Sequence, residues 1–396
     1  MAKGNSKLNE AKVAKNDEFY TQYDDIQNEI NAYVEYNPDV FRDKVVLLPC
    51  DDPEWSNFTK FFVNNFKAFG LKKLISTSYA VESKHYKEGY QPSLFETSAP
   101  QYDEDKTRTH GKIFILEKDI NDDGIIDVND LQWNYLEGTG DFMSDEVRVL
   151  RDQSDIIITN EPFSLFLEFL SWIMEADKKF LIIANKLSTG CRDVFPLIRD
   201  NIIWSGKRDW SGGMWFVTTN DDDVDKIIDG QKMKNVASIW LTNLEHGKRH
   251  EPISLMTMAD NLRFSKHKEI REKGYRKYDN FDAIDIPYVD AIPSDYDGLM
   301  GVPVSFFNRY CPEQFEIVTQ GEGQQYFTPT KFYEYFLDGR TGRPSNAKRD
   351  YQLYIQDDEG DYLTPYGYRV NKASKRIIIR KKHCCPLKVV DDYYKV

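Results

Sequence analysis

No apolar run in the chain approaches the roughly 20 residues that a membrane-spanning helix requires, so no such helix is expected. Cysteine is scarce: five in 396 residues, an odd number, with no C-x-x-C spacing. That argues against a disulfide framework and for reduced thiols, as in a cytoplasmic protein. His383, Cys384 and Cys385 are adjacent, a poor pattern for a zinc tetrahedron. The first residues carry positive charge but no apolar stretch, so residues 1–15 read as a basic arm and not as a secretory signal. No glycine-rich G-x-G loop of the kind that cradles a dinucleotide pyrophosphate follows the first strand-like run, Lys44–Cys50. NAD, FAD and P-loop nucleotides are thereby disfavoured, and any ligand here should lack a pyrophosphate.

What is present is acid. There are 65 Asp and Glu against 52 Lys and Arg, a net charge of −13. The balance is uneven: residues 321–396 hold 14 basic against 10 acidic side chains, and the first 320 hold 38 against 55. Contacts to phosphates need Lys and Arg, but only on the contact face, so an acidic body with a basic region remains compatible with nucleic acid.

Core-forming patterns alternate along the chain. KVVLLPC (Lys44–Cys50) is a continuous apolar run, as in a strand covered on both faces. Ser56–Gly70 follows, with Phe58, Phe61, Phe62, Phe66 and Phe69 at helical spacing and Gly70 as the stop. Leu71–Tyr79, Asp155–Thr159 and Phe180–Asn185 read as further strands, with a helix over Ser164–Asp177 and another over 191–201. Gly213–Thr218 and Ser238–Leu244 read as a closing hairpin. Strands alternating with helices predict an α/β fold with a doubly wound, mostly parallel, Rossmann-like sheet. Residues 82–137 look like a polar insertion, and beyond 245 the chain turns aromatic-rich and Gly/Pro-punctuated. The expected domains are 16–245 and 246–396, the second an α+β region.

Open parallel sheets bind ligands at the carboxyl ends of their strands. After the first strand stand Cys50, Asp51, Asp52 and Pro53. After the third stand Asn160, Glu161, Pro162 and Phe163. An amide oxygen and a backbone carbonyl there can accept both N–H bonds of an aromatic amine and free its conjugated lone pair for attack. Phe163 can stack on the ring, worth about 1–3 kcal/mol per base. A plain helix-entry turn with Ser164 as N-cap competes with that reading.

Within the insertion, Asp119–Asp130 places Asp119, Asn121, Asp123, Asp127 and Asp130 at positions 1, 3, 5, 9 and 12 of a 12-residue loop, with Gly124 at 6. This spacing predicts a structural calcium site; an acidic loop with a Asp-Gly turn is the alternative.

The tetrad Asn160–Phe163 resembles the (Asn/Asp/Ser)-Pro-Pro-(Tyr/Phe/Trp) motif of S-adenosylmethionine-dependent amino-methyltransferases. NDEFYTQYDDIQNEI (Asn16–Ile30), CDDPEWSNF (Cys50–Phe58), GDFMSDE (Gly140–Glu146), TNEPFSLF (Thr159–Phe166) and the segment Asp295–Ile317 are similar, in this order, to EcoRI-type adenine-specific DNA methyltransferases. The resemblance implies a bacterial or phage-encoded enzyme of restriction-modification type, acting as one subunit on double-stranded DNA. It implies cofactor contacts at Asp17, Phe19, Tyr20 and Thr21, at Cys50, Asp51, Asp52 and Pro53, and at Asp141 with Phe142. Catalysis falls on Asn160, Glu161, Pro162 and Phe163. The chain departs from the pattern at Glu161, where proline is usual, and in lacking an acid directly after Tyr79, where Glu82 is the nearest substitute.

The region from 246 onward is then the expected target-recognition part. Its basic segments put Arg340, Arg343, Lys348 and Arg349 in a glycine-bearing loop, and Arg376 and Arg380 at the ends of an apolar strand, as candidate DNA contacts. Two rivals remain at this stage. One is a methyltransferase-like protein that binds DNA or S-adenosylmethionine with little turnover because of Glu161. The other is an amino-methyltransferase acting on RNA adenine or on cytosine.

Overall fold

The computed structural model describes residues 20–51, 56–80, 94–161, 163–218, 223–323, 325–347, 349 and 351–382. The chain divides into two compact units, 1–195 with 203–247, and 196–202 with 248–396.

The first unit contains twelve strands among its described residues. They are β1 (Tyr20–Thr21), β2 (Val45–Leu48), β3 (Lys73–Ser78), β4 (Lys112–Leu116), β5 (Gln132–Tyr135), β6 (Ile156–Thr159), β7 (Lys179–Asn185), β8 (Trp204–Ser205), β9 (Met214–Val217), β10 (Lys226–Ile228), β11 (Gln231–Val236) and β12 (Ser238–Thr242). Eight of them form one sheet in the order β5-β4-β3-β2-β6-β7-β12-β8. The central four are parallel, and the flanking pairs are antiparallel. β2, β6 and β7 are largely aliphatic and almost wholly buried, as strands covered on both faces must be, and β3 adds Leu74 and Ile75 with buried Ser76, Thr77 and Ser78.

The phenylalanine run after β2 forms the helix Asn57–Asn64, capped by the Ser56 hydroxyl, and then a short turn Phe66–Phe69. Gly70 ends it at φ 63, a left-handed backbone that favours glycine. Phe41, Phe61, Phe62 and Phe69 pack ring against ring at 5.2–6.1 Å. Together with Leu48, Leu74 and Ile158 they belong to the core cluster that carries the strand ends.

Two expectations change here. Gly213–Thr218 and Ser238–Leu244 do not form a hairpin with each other. β9 pairs with β1 and β11 in a separate antiparallel sheet, whereas β12 enters the main sheet beside β7. The real hairpin is β10–β11, turning at Asp229 and Gly230, both at positive φ. An Asp-Gly pair is a strong hairpin signal, but β11 reads QKMKNV and its polarity hid the strand. The insertion also contributes to the main sheet, because β4 and β5 extend it by two antiparallel strands. Burial alternates along both, and β5 (QWNY) is polar at its exposed positions, whereas β4 (KIFIL) is a short apolar run within a polar stretch and so reads as part of the insertion.

The second unit contains β13 (Ile284–Asp285), β14 (Met300–Pro303), β15 (Phe315–Gln320), β16 (Phe336–Asp338), β17 (Pro344–Ser345), β18 (Tyr354–Gln356), β19 (Tyr362–Leu363), β20 (Arg369–Lys372) and β21 (Arg376–Lys381). They make a four-stranded sheet, β13-β14-β21-β15, and a five-stranded one, β17-β16-β19-β20-β18.

Candidate active site

The carboxyl ends of β2 and β6 are knotted together by Asp51. Its Oδ1 accepts from the Ser56 hydroxyl at 2.7 Å and its Oδ2 from the Thr159 hydroxyl at 2.6 Å. Its backbone carbonyl accepts from Thr59 at 3.1 Å and also from the Ser76 hydroxyl. Thus one acid ties the loop after β2 to the next helix, to β3 and to the end of β6. Cys50 before it takes φ 68, and its N–H donates to Thr77 at 3.3 Å. The turn therefore leaves β2 sharply and aims Cys50 and Asp51 at the strand ends. Asp52 and Pro53 lie outside the described residues.

The tetrad follows β6 directly. Asn160 and Phe163 are half-buried. Phe163 meets Phe216 edge to face, with ring centroids 6.2 Å apart and planes at 80°. Phe216 is opposite Thr21 in the β1–β9 ladder, and the Thr21 carbonyl accepts from the Asn57 side chain at 2.7 Å. The β1 segment, the loop after β2 and the tetrad thus converge. Asp17, Phe19 and Pro162 lie outside the described residues. The Thr21 hydroxyl and the Gln22 amide nitrogen are buried without hydrogen-bond partners, as groups awaiting a polar ligand would be.

Glu161 is 2% exposed, and neither carboxyl oxygen has a hydrogen-bond partner. Burial pushes its pKa well above the ordinary carboxylate range; its own backbone N–H pulls the other way, and the charge of Asp51 adds to the rise.

Asp141 and Phe142 arrive on a loop laid against β3. Gly140 stands at φ 81, and a Cβ there would collide with the Ser78 carbonyl oxygen. The exposed Asp141 accepts from the Met143 N–H at 2.9 Å. The Phe142 ring is buried against Phe169 and Trp172, at 5.1 and 5.7 Å. Its side chain is thus a core contact, and Asp141 is the member of the pair left at the surface.

Tyr79, directly after β3, joins these pieces and was not anticipated. Burial pushes its phenol well above the usual value, with Cys50 and Asp141 acting in the same direction, and it hydrogen-bonds with Cys50 and the Phe142 backbone. The signal was available: an aromatic ends β3 where an acid was sought. Glu82 lies outside the described residues.

The calcium expectation is corrected. Asp119 accepts from the N–H groups of Asp122 and Gly124, each at 2.8 Å. Asn121 accepts from Asp123, Asp123 from Ile125, and Asp127 from Asn129. Asp130, buried, accepts from Ile120 and Asp127, and the Ile120 N–H in particular holds its carboxyl below the usual range. The loop oxygens satisfy its own backbone. Among the described residues no group of three or more His, Cys, Asp or Glu comes together to hold a metal ion. His383, Cys384 and Cys385 lie outside them.

In the second unit, Arg340 and Arg343 are exposed on the turn joining β16 and β17. Asp338 shapes that turn by accepting from the N–H groups of Arg340 and Thr341. Arg349 is exposed, and Lys348 lies outside the described residues. Arg380 is exposed and pairs with Glu316 at 2.5 Å. Arg376 is a correction: it is buried and paired with Asp285 at 2.8 Å, and Asp285 also accepts from the Tyr278 hydroxyl at 2.6 Å. Its guanidinium is part of the core.

Among the described residues no helix is long and apolar enough to cross a membrane. No solved structure matches the chain. The family described as "Adenine-specific methyltransferase EcoRI" matches residues 7–382. The Type II methyltransferase M.EcoRI of Escherichia coli is 39% identical over 81% of this chain and 90% of its own length. M.MpnI of Mycoplasma pneumoniae is 34% identical over 78% and 84%. M.MgeORF184P of Mycoplasma genitalium is 32% identical over 78% and 85%. With the tetrad at the end of β6 and matches of this extent, the chain belongs to the EcoRI-type adenine-specific DNA methyltransferases.

Proposed function

We propose that the chain methylates the N6 amine of an adenine flipped out of duplex DNA, at the carboxyl ends of β2 and β6. The observation that carries this reading is the convergence of Asn160 and Phe163 with the Asp51 loop and the β1 segment. The residues present fit the family's methyl donor: buried polar atoms of Thr21, Gln22 and Glu161 lack partners there. When bound, S-adenosylmethionine supplies an electrophilic methyl group on a sulfonium. The segments that would hold it are Tyr20 and Thr21, Cys50 and Asp51, and Asp141 with Tyr79.

The rest is the work of the tetrad. The Asn160 side-chain oxygen and the Glu161 backbone carbonyl accept the two N–H bonds of the amine, which weakens conjugation with the ring and frees the lone pair. Phe163, braced by Phe216, stacks on the base. Once methylated, the nitrogen is strongly acidic and loses its proton to solvent, so no general base is required. Any residue supplies a backbone carbonyl, so glutamate in place of proline keeps that acceptor. The first unit is on this reading a doubly wound catalytic domain. The second reads the target, with Arg340, Arg343, Arg349 and Arg380 as its exposed cations, and one subunit suffices, in the cytoplasm.

The test is incubation of the purified protein with methyl-labelled S-adenosylmethionine and adenine-containing duplexes, followed by nucleoside analysis. Label in N6-methyladenine supports the reading. Label in cytosine, or none in the duplex while an adenine-containing RNA supplied in parallel is labelled, overturns it.

A further inference from the structure

The Glu161 side chain has no role in the transfer chemistry above, which uses only its backbone carbonyl. Yet it is 2% exposed, and both carboxyl oxygens are without partners. Asp51, its neighbour in charge, is by contrast held on both oxygens by the Ser56 and Thr159 hydroxyls. The two acids stand at the ends of the adjacent parallel strands β2 and β6, near enough for the charge of Asp51 to act on Glu161. A carboxyl so placed is tolerated as the neutral acid and becomes an anion only when a cation arrives beside it. The further titratable groups at this end of the sheet include Cys50 in the same loop, Tyr79 after β3 and Asp141 in the loop against β3. Two lysines also stand here, Lys112 opposite Ser78, paired with Glu96 at 2.6 Å, and Lys186 after β7, over the Trp210 ring, and neither is among the charges that act on Glu161.

We propose that Glu161, together with Asp51, receives a cationic group of the methyl donor, and that Glu161 gives up its proton to solvent as the donor binds. The inference rests on the function proposed above. S-adenosylmethionine carries two suitable groups, an α-ammonium and a sulfonium, and its demethylated product keeps only the first. The carboxyl that replaces proline in the tetrad is thereby a binding group. It also couples donor affinity to pH, because each proton released per ligand makes binding tighter by up to about tenfold per pH unit.

Titration calorimetry of the full chain with S-adenosylmethionine, repeated in buffers of different ionisation enthalpy, counts the protons exchanged. The expected result is net release of up to one proton per ligand and a dissociation constant that falls as pH rises. Glu161→Gln should bind with no release and a flat profile over the same range. If the demethylated product also drives release, the ammonium is the group received; if it does not, the sulfonium is. Donor binding to the unaltered protein without proton release overturns the inference and leaves the proposed function standing. So does release that persists in Glu161→Gln. Absence of donor binding altogether overturns both.

Discussion

Replacing Glu161 by glutamine should stabilise the protein without ligand, and only above the ordinary carboxylate range of pH. In the folded chain burial raises the pKa of this carboxyl, with Asp51 adding to it, whereas in the unfolded chain it titrates near about 4.3. Between the two values the folded state holds the extra proton, so unfolding releases it and stability falls as pH rises. Below the unfolded value both states are protonated and the penalty disappears. Each pKa unit by which the folded value exceeds the unfolded one costs about 1.4 kcal/mol at pH values above both, and a unit of this size melts about 2–4 °C lower per kcal/mol. Glu161→Gln should therefore melt within a degree or so of the unaltered protein near pH 4, and several degrees above it near pH 8. Glu161→Met, which removes the polar atoms as well, should melt higher at both. Melting followed by near-UV circular dichroism across that pH range reads the difference. An equal gap at both pH values, or a lower melting point for Glu161→Gln at pH 8, would refute the reasoning.

Three further outcomes follow from particular contacts. Gly140→Ala places a Cβ against the Ser78 carbonyl at a positive φ, so the loop must lift from β3; donor affinity should drop in a binding titration while the second unit melts unchanged. Asp285→Ala leaves the buried Arg376 guanidinium uncompensated and should cost about 3–5 kcal/mol. Asp285→Leu with Arg376→Met should cost much less, as denaturant midpoints would register. Arg340→Ala with Arg343→Ala should weaken duplex binding across all sequences if the two side chains contact phosphates. The slope of log affinity against log salt should then fall by about one per cation.

The parts of the fold that were legible in sequence are those whose physics is local. β2, β6 and β7 are buried on both faces, so their aliphatic runs announce them, and Ser56 and Gly70 bracket the phenylalanine helices as caps. β5 and β11 were hidden because a strand covered on one face keeps its polar half, and β4 because its short apolar run stands in a polar stretch and only its pairing partner sets its place in the sheet. In the site, Asn160 and Phe163 stood in a recognisable order after a strand. Tyr79 did not, because its partners Cys50, Asp141 and Phe142 come from separate loops. Arg376 misled for a similar reason. A cation flanking an apolar strand reads as solvent-facing, and the Asp285 that buries it lies 91 positions away. The calcium spacing misled differently: the same acids at the same positions can turn inward and cap their own backbone.

The central claim is that Asn160, at the end of β6, makes the adenine amine nucleophilic. Single-turnover transfer of labelled methyl to a duplex, compared between the unaltered chain and Asn160→Ala with donor binding verified in both, tests it most directly. The account predicts that Asn160→Ala retains its fold and its donor while the transfer rate falls by about two to three orders of magnitude. Undiminished transfer in Asn160→Ala would contradict it.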